Sequence, residues 1–248
     1  MFTQDKKTAL VTGASSGMGK VIARRLIQDG YQVYAAARSV EKMNDLAQLG
    51  ARPLRMDISR DEDILAAVDT IFSQTGGVDV LVNNAGFGLY GPIEEIGIDE
   101  ARYQFEVNVF GAARLTQLLL PAMRARRSGY IINITSIGGK IYTPLGAWYH
   151  ATKHALEGWS DCLRLEVAEF GIKVVIVEPG LIETGFGDVV SGNFVKRSAS
   201  GPYGHLVANV ANSVKNAYGN GRGSDPKVIA DVVARAVKSP HPRTRYAA

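Results

Sequence analysis

The feature that most constrains this chain is an alternation of short apolar, β-rich runs with amphipathic stretches, sustained from residue 8 to residue 177. Strands are read at residues 8–11, 32–36, 53–56, 78–82, 130–134 and 172–177. Helices are read between them at 18–29, 41–49, 61–74, 100–126 and 147–170. Val21, Ile22, Leu26 and Ile27 show the helical spacing, and Gly30 and Gly50 stop the first two helices. The run Val78-Asp-Val-Leu-Val82 is nearly all apolar, as a strand covered on both faces requires. Strict alternation implies right-handed βαβ units, hence an α/β, doubly wound parallel sheet flanked by helices on both faces. No repeat or linker-like stretch interrupts the pattern, so residues 1–248 are read as one domain.

After Gly180 the pattern loosens. Residues 185–224 are rich in Gly, Ser and Asn, with one helix-like piece at 206–218. Asp225 and Pro226 then read as N-cap and first helical residue of a helix reaching residue 238. A long polar insertion late in a regular α/β chain suits a substrate loop better than a plain connector.

Composition removes several function classes. Hydrophobic residues at 46% and charged residues at 21% argue against a largely disordered chain. The single cysteine, Cys162, excludes a disulfide-stapled scaffold and any multi-cysteine zinc site. Placed among apolar helix residues, it reads as a small buried packing group. No apolar run reaches the ~18–20 residues of a membrane-spanning helix. Residues 1–7 lack the apolar segment of a secretory signal, so a soluble, cytoplasmic protein is expected. The net charge of +4 is spread thinly, and its densest cluster, Arg124, Arg126 and Arg127, falls at a helix C-terminus where cations suit the macrodipole. Nothing in that distribution points to nucleic acid.

Between the first strand and first helix lies Thr12-Gly13-Ala14-Ser15-Ser16-Gly17-Met18-Gly19. Glycines at such a turn let backbone N–H groups and a helix N-terminus face a pyrophosphate. The spacing is G-x-x-x-G-x-G rather than G-x-G-x-x-G, and a merely flexible turn is the alternative. At the end of the second strand stand Ala36-Ala37-Arg38, with no carboxylate before Glu41. A carboxylate there would bond a ribose 2′-OH, whereas a guanidinium grips a 2′-phosphate. Arg38 therefore favours NADP(H) over NAD(H), unless it is simply a solvated loop arginine. Asp57 could reach adenine through its side chain and Ile58 through its backbone; for Asp57, helix capping is the rival role.

Tyr149 and Lys153 open a helix at i and i+4, on one face. An adjacent ammonium favours the phenolate, bringing a phenol toward service as a proton carrier. Such a pair also arises by chance. Ser136 ends the fifth strand, on the carboxyl edge where open α/β sheets bind ligands. Asn108 sits on an otherwise apolar stripe with Phe105, Ala112, Leu115 and Leu119. It is either a structural amide or a group holding a water that links Lys153 to solvent. His150 and His154 flank the pair without a third metal ligand and read as helix-surface or interface histidines. No metal is expected.

These residues together resemble the short-chain dehydrogenase/reductases over almost the whole chain. The marks, in order, are Thr12–Gly19, Asp57, Asn83-Asn84-Ala85-Gly86, Asn108, Ser136, Tyr149-x-x-x-Lys153, and Pro179-Gly180 with Thr184. The resemblance implies a Rossmann-like domain with Tyr149 as acid/base and Ser136 orienting a carbonyl. Lys153 would lower the tyrosine pKa and bond the nicotinamide ribose, and Asn108 would support a proton-relay water. Gly13, Ser15, Ser16, Gly17, Met18, Arg38, Asp57, Ile58, Asn84, Ala85 and Gly86 would hold the rest of the cofactor. Pro179, Gly180, Ile182 and Thr184 would contact the nicotinamide, the last two through its carboxamide. The implied activity is NADPH-dependent interconversion of a ketone or aldehyde and an alcohol. The substrate is expected to be a small, lipophilic carbonyl or alcohol, and the assembly a homodimer or homotetramer. The surroundings of Tyr149 look most like steroid-, retinol- or uncharacterised carbonyl-reducing members. Family members continue a strand past Arg243-Thr-Arg-Tyr246, so a curtailed final strand is expected before Ala248. A catalytically silent NADPH sensor is the alternative, although it would not need Asn108, Ser136, Tyr149 and Lys153 together. The substrate pocket is expected from residues 138–147 and 185–224. Tyr142, Trp148, Phe186 and Phe194 in these stretches are either pocket lining or core.

Overall fold

The computed structural model describes residues 6–218 and 223–248, so residues 1–5 and 219–222, the tail of the substrate-loop region, lie outside the described residues. The sequence alternation is realised as β1 (Thr8–Thr12), α1 (Gly17–Gln28), β2 (Gln32–Ala37), α2 (Asn44–Gln48), β3 (Arg52–Arg55), α3 (Asp61–Thr75) and β4 (Val80–Asn83). It continues with α4 (Ile98–Phe105), α5 (Gly111–Arg126), β5 (Gly129–Ile134), α6 (Ala147–Val167) and β6 (Ile172–Glu178). Then come α7 (Phe186–Ser198), α8 (Gly204–Tyr218), α9 (Lys227–Lys238) and β7 (Arg245–Ala247).

The seven strands form one parallel sheet in the order β3-β2-β1-β4-β5-β6-β7. The order reverses between β1 and β4, where such sheets open a crevice at their carboxyl edge. The inner strands β1, β2, β4, β5 and β6 bury both faces, which explains their largely apolar sequences, while the edge strands β3 and β7 stay partly exposed. Ala9, Val11, Val80, Val82 and Ile132 pack under α1 and α9 through Ile22, Leu26, Ile229 and Val233. Their neighbours Leu10, Leu81 and Ile131 face the other way, against Ile64 and Ile71 of α3, Leu115 and Leu119 of α5, and Leu163 of α6.

Two readings change. The helix expected at 100–126 is interrupted by a π-helical turn, Glu106–Phe110, which carries Asn108. The insertion at 185–224 holds two helices rather than one; Ser191, Gly192 and Asn193 inside α7 conceal its helical pattern. The final strand, β7, is three residues long and pairs with β6, with Glu178 opposite Ala247.

The α7–α8 excursion leaves and rejoins the body at one place, where Glu183 N donates to Ser224 O at 2.9 Å and Ser224 N to Leu181 O at 2.8 Å. Its anchor is a third apolar cluster of Leu145, Phe194 and Val207, roughly 1.5–3 kcal/mol for each buried side chain. The Arg197 fork on Glu100, at 2.6 and 2.9 Å, lies near the surface and adds at most about 1 kcal/mol. The apolar cluster is the stronger hold. No helix among the described residues is long and apolar enough to cross a membrane.

Candidate active site

The glycine turn after β1 is built for close approach. Gly13 and Gly17 adopt φ of 67° and 51°, the left-handed region that glycine occupies without strain. A Cβ on Gly19 would stand 2.4 Å from both Gly13 O and Asn84 Nδ2, so the turn closes only without one. Ser16 stands at the N-cap of α1 but makes no side-chain cap, and the first turn carries no acid. The N–H groups at that helix start are therefore not taken up by a cap or a carboxylate. Thr184 leans over the same spot, its Cγ2 3.4 Å from where a Gly17 Cβ would be.

Thr12 ties the turn to β4. Its Oγ1 accepts the N–H groups of Asn84 and Ala85, each at 3.0 Å, and its carbonyl accepts Asn84 Nδ2 at 2.9 Å. Asn84 Oδ1 is buried and has no hydrogen-bond partner among the described residues. A cradle of uncapped N–H groups, left-handed glycines and an orphaned amide oxygen fits a dinucleotide's phosphates and ribose.

Arg38, exposed, follows β2 directly and lies within electrostatic reach of Asp57. Burial pushes the Asp57 carboxyl up, but hydrogen bonds from Ser59 and the charges of Arg38 and Arg60 hold it below its usual range. Asp57 Oδ1 accepts Ser59 N at 3.0 Å and Ser59 Oγ at 2.7 Å, capping the turn before α3 rather than α3 itself. Ile58 is buried under the start of α5, where a Gly111 Cβ would meet its carbonyl oxygen at 2.2 Å.

The second half of the site gathers at the ends of β5 and β6 and on the first turns of α6. Ser136 caps the short turn Ile137–Gly139, its Oγ accepting Gly138 N at 3.0 Å. It also hydrogen-bonds the Tyr149 side chain. Burial nevertheless dominates that phenol and pushes it up to about 12. Lys153 is buried as well, and desolvation pulls it down to about 8, Glu157 opposing the fall. Its Nζ donates to Ile134 O at 3.0 Å and lies 5.8 Å from the Tyr149 ring centroid. Both groups are thus driven toward their neutral forms in this cleft.

Asn108 is fully engaged by its side chain. Oδ1 accepts Phe87 N at 3.0 Å, while Nδ2 donates to Phe87 O at 2.9 Å and Thr152 Oγ1 at 3.1 Å. This is the structural-amide role, which fixes Gly86 between Asn108 and Lys153. A Cβ on Gly86 would lie 3.1 Å from Asn108 Oδ1 and 3.8 Å from Lys153 Nζ.

Met18, Asn84, Gly86, Ser136, Tyr149, Lys153, Pro179, Gly180, Ile182 and Thr184 all line one cleft of about 600 Å³. Gly13, Ser15, Ser16, Gly17, Arg38, Asp57, Ile58 and Ala85 belong to the flanking turn and the ends of β2, β3 and β4, and Asn108 stands behind Gly86. The far wall comes from α8, whose Leu206, Val210 and Val214 face inward at i, i+4 spacing with Tyr218 beyond them. Tyr90 closes the near side, its ring 5.5 Å from that of Tyr149. Lys153 is the one Lys, Arg, Asp or Glu in the described lining.

Tyr90 and Tyr218 were not evident from sequence, since one lies in a loop and the other at a helix end. Of the aromatic residues expected there, Tyr142 is exposed, Trp148 is not in the lining, and Phe194 is fully buried in the third apolar cluster. The side chain of Phe186 lies outside the described residues. Two further readings are corrected. Cys162 is exposed rather than buried, on the outward face of α6. His150 is buried in the cleft wall rather than on the helix surface, while His154 is exposed.

A doubly wound sheet with a glycine-rich phosphate turn at its switch point, and a Tyr–Lys helix across the crevice, defines a dinucleotide-dependent oxidoreductase architecture. The family described as short chain dehydrogenase matches residues 7–192, and the chain belongs to it. Among curated relatives, a 3-ketodihydrosphingosine reductase of Bacteroides thetaiotaomicron is 42% identical over 180 residues. That match covers 72% of this chain and 65% of the relative, so the chain aligns with just under two thirds of that protein. A short-chain dehydrogenase from Streptomyces avermitilis superposes with a TM-score of 0.84 at 36% identity, over 99% of this chain and 89% of that one. An actinorhodin polyketide ketoreductase variant solved with NADPH gives a TM-score of 0.84 at 33% identity, over 100% of this chain and 96% of that one.

Proposed function

We propose that the chain is an NADP(H)-dependent oxidoreductase interconverting a ketone or aldehyde and the corresponding alcohol. The observation that carries this reading is the convergence of Ser136, Tyr149 and Lys153 in one cleft with the uncapped start of α1. NADP(H) is favoured by Arg38 at the end of β2, where no carboxylate stands to repel a 2′-phosphate, and by the NADPH of a similar ketoreductase. The nicotinamide cofactor, when bound, supplies or accepts the hydride.

The protein's own groups handle the proton and the substrate oxygen. The Ser136 hydroxyl, its lone pair taken by Gly138 N–H, donates its hydrogen to the substrate oxygen. Tyr149 then passes the phenolic proton to that oxygen as it becomes an alkoxide, giving the alcohol. Lys153 would hold the nicotinamide ribose, and Asn108 would sustain the proton path through the backbone it fixes. The walls, mostly apolar and with no charge beyond Lys153 among the described residues, suit a neutral, lipophilic carbonyl compound. A single domain, a homodimer or homotetramer and a cytoplasmic location complete the reading.

Tyr149→Phe tests it. NADPH oxidation with a panel of neutral ketones and aldehydes should vanish in the variant, while NADPH affinity measured by fluorescence stays within about twofold. Unchanged turnover in the variant removes Tyr149 from its role.

A further inference from the structure

We infer that His150 is a positioning residue that aims the Ser136 hydroxyl by pinning Gly138. This rests on the reductase reading above. His150 is 6% exposed, and both of its ring nitrogens are engaged. Nδ1 lies 2.8 Å from Gly138 O, and Nε2 lies 2.9 Å from Thr143 Oγ1. A carbonyl oxygen can only accept, so Nδ1 carries the hydrogen, and in the neutral ring Nε2 accepts from the Thr143 hydroxyl.

The space for this ring is reserved by two glycines. A Cβ on Gly146 would stand 2.6 Å from His150 Cδ2 and 2.7 Å from Nε2. One on Gly138 would stand 3.1 Å from both His150 Nδ1 and Tyr149 Cε1. The ring also meets the Tyr149 ring edge-on at 5.8 Å and 68°. It therefore fastens residues 138–146, the rim of the cleft, onto the helix that carries Tyr149 and Lys153.

The consequence falls on Ser136. Gly138 has no side chain to restrict it, and among the described residues the side chains bonded to its backbone are His150 at its carbonyl and Ser136 Oγ at its N–H. With the carbonyl held, the N–H points at Ser136 Oγ and occupies one lone pair. The hydroxyl hydrogen is then directed toward Tyr149 and the cleft, where a substrate oxygen would receive it. Releasing the carbonyl lets Gly138 turn, and the serine hydroxyl loses its fixed direction. Misplacing a reacting group by about 1 Å costs on the order of a hundredfold in rate.

The series His150→Phe, His150→Asn and His150→Gln tests this. Asn places an amide N–H near the position of Nδ1, whereas Gln carries its donor one bond farther out. The assay is NADPH oxidation with p-nitrobenzaldehyde and with the best ketone of a neutral panel, alongside NADPH affinity and melting temperature. The Phe and Gln variants should lose kcat roughly tenfold to a hundredfold, with KM and NADPH affinity changing less than about threefold. Asn should recover most of kcat. Equal kcat for Asn and Phe, or a loss that follows melting temperature or NADPH affinity alone, overturns the inference. If Tyr149→Phe abolishes turnover while the histidine series is flat, only this inference falls. If the parent reduces no carbonyl at all, the reductase reading falls and takes this inference with it.

Discussion

Replacing Lys153 by methionine should make the cofactor-free protein more stable at neutral pH and not at alkaline pH. The ammonium is buried, and desolvation lowers its pKa from 10.5 to about 8. A folded-state pKa below the unfolded value means that the native state resists protonation. The penalty is therefore full below pH 8 and disappears as pH rises toward 10.5. Converted at about 1.4 kcal/mol per pKa unit, it amounts to about 3 kcal/mol at pH 7 and about 1 kcal/mol at pH 10. Methionine has a similar length and no charge, but it forfeits the bond from Nζ to Ile134 O, worth about 1 kcal/mol net. The variant should thus gain about 2 kcal/mol at pH 7 and nothing at pH 10. At this chain length the gain corresponds to a melting temperature higher by roughly 4–8 °C. Thermal melts of parent and variant without cofactor, across pH 7 to 10, measure the difference directly. A variant no more stable at pH 7, or a difference that does not shrink with pH, refutes the assignment of a strained buried ammonium.

Two further outcomes separate other parts of the molecule. Arg38→Ala should weaken NADPH binding by about 2 kcal/mol, roughly thirtyfold, with NADH affinity unchanged; parallel losses in titrations of both coenzymes would show that the guanidinium does not read the 2′-phosphate. Phe194→Ala removes the fully buried ring of the third apolar cluster and should loosen α7 and α8 by about 3–5 kcal/mol. Limited proteolysis should then cut within residues 186–218 while the sheet survives. Uniform resistance like that of the parent would mean that the anchor lies elsewhere.

The parallel sheet was legible because its strands bury both faces. A continuous apolar run such as Val80–Asn83 between amphipathic helices leaves little freedom in topology. The locations of Ser136, Tyr149 and Lys153 were legible for a similar reason, since a strand end and an i, i+4 helical pair are local features. Local sequence carries less about tertiary burial. Cys162 and His150 stand on the same helix, yet the first faces out and the second is enclosed by Gly146 at the start of that helix and by Gly138 from the segment after β5. The π-helical turn at Asn108 escaped because its extra residue leaves the apolar stripe nearly intact on either side. Helix α7 escaped because its Ser and Gly content has the composition of a loop.

The charge state of the pair was the least legible property, because it depends on which of two opposing effects is larger. Spacing alone suggests that Lys153 draws Tyr149 toward the phenolate. In the cleft, the phenol rises to about 12 and the lysine falls to about 8, since burial penalises both ions. Passing the phenolic proton to the amine is therefore unfavourable in this cleft. Desolvation outweighs the Ser136 hydrogen bond, and the resting phenol keeps its proton. For carbonyl reduction under the proposed function that is the useful form, because the substrate oxygen needs a proton as hydride reaches the carbon. Alcohol oxidation needs the opposite form. Any lowering of the phenol for that direction has to come from charges and donors that enter the cleft with the bound molecules, added to what the Ser136 hydrogen bond contributes. The lysine is better placed to receive such a ligand than to make a base of Tyr149 by itself.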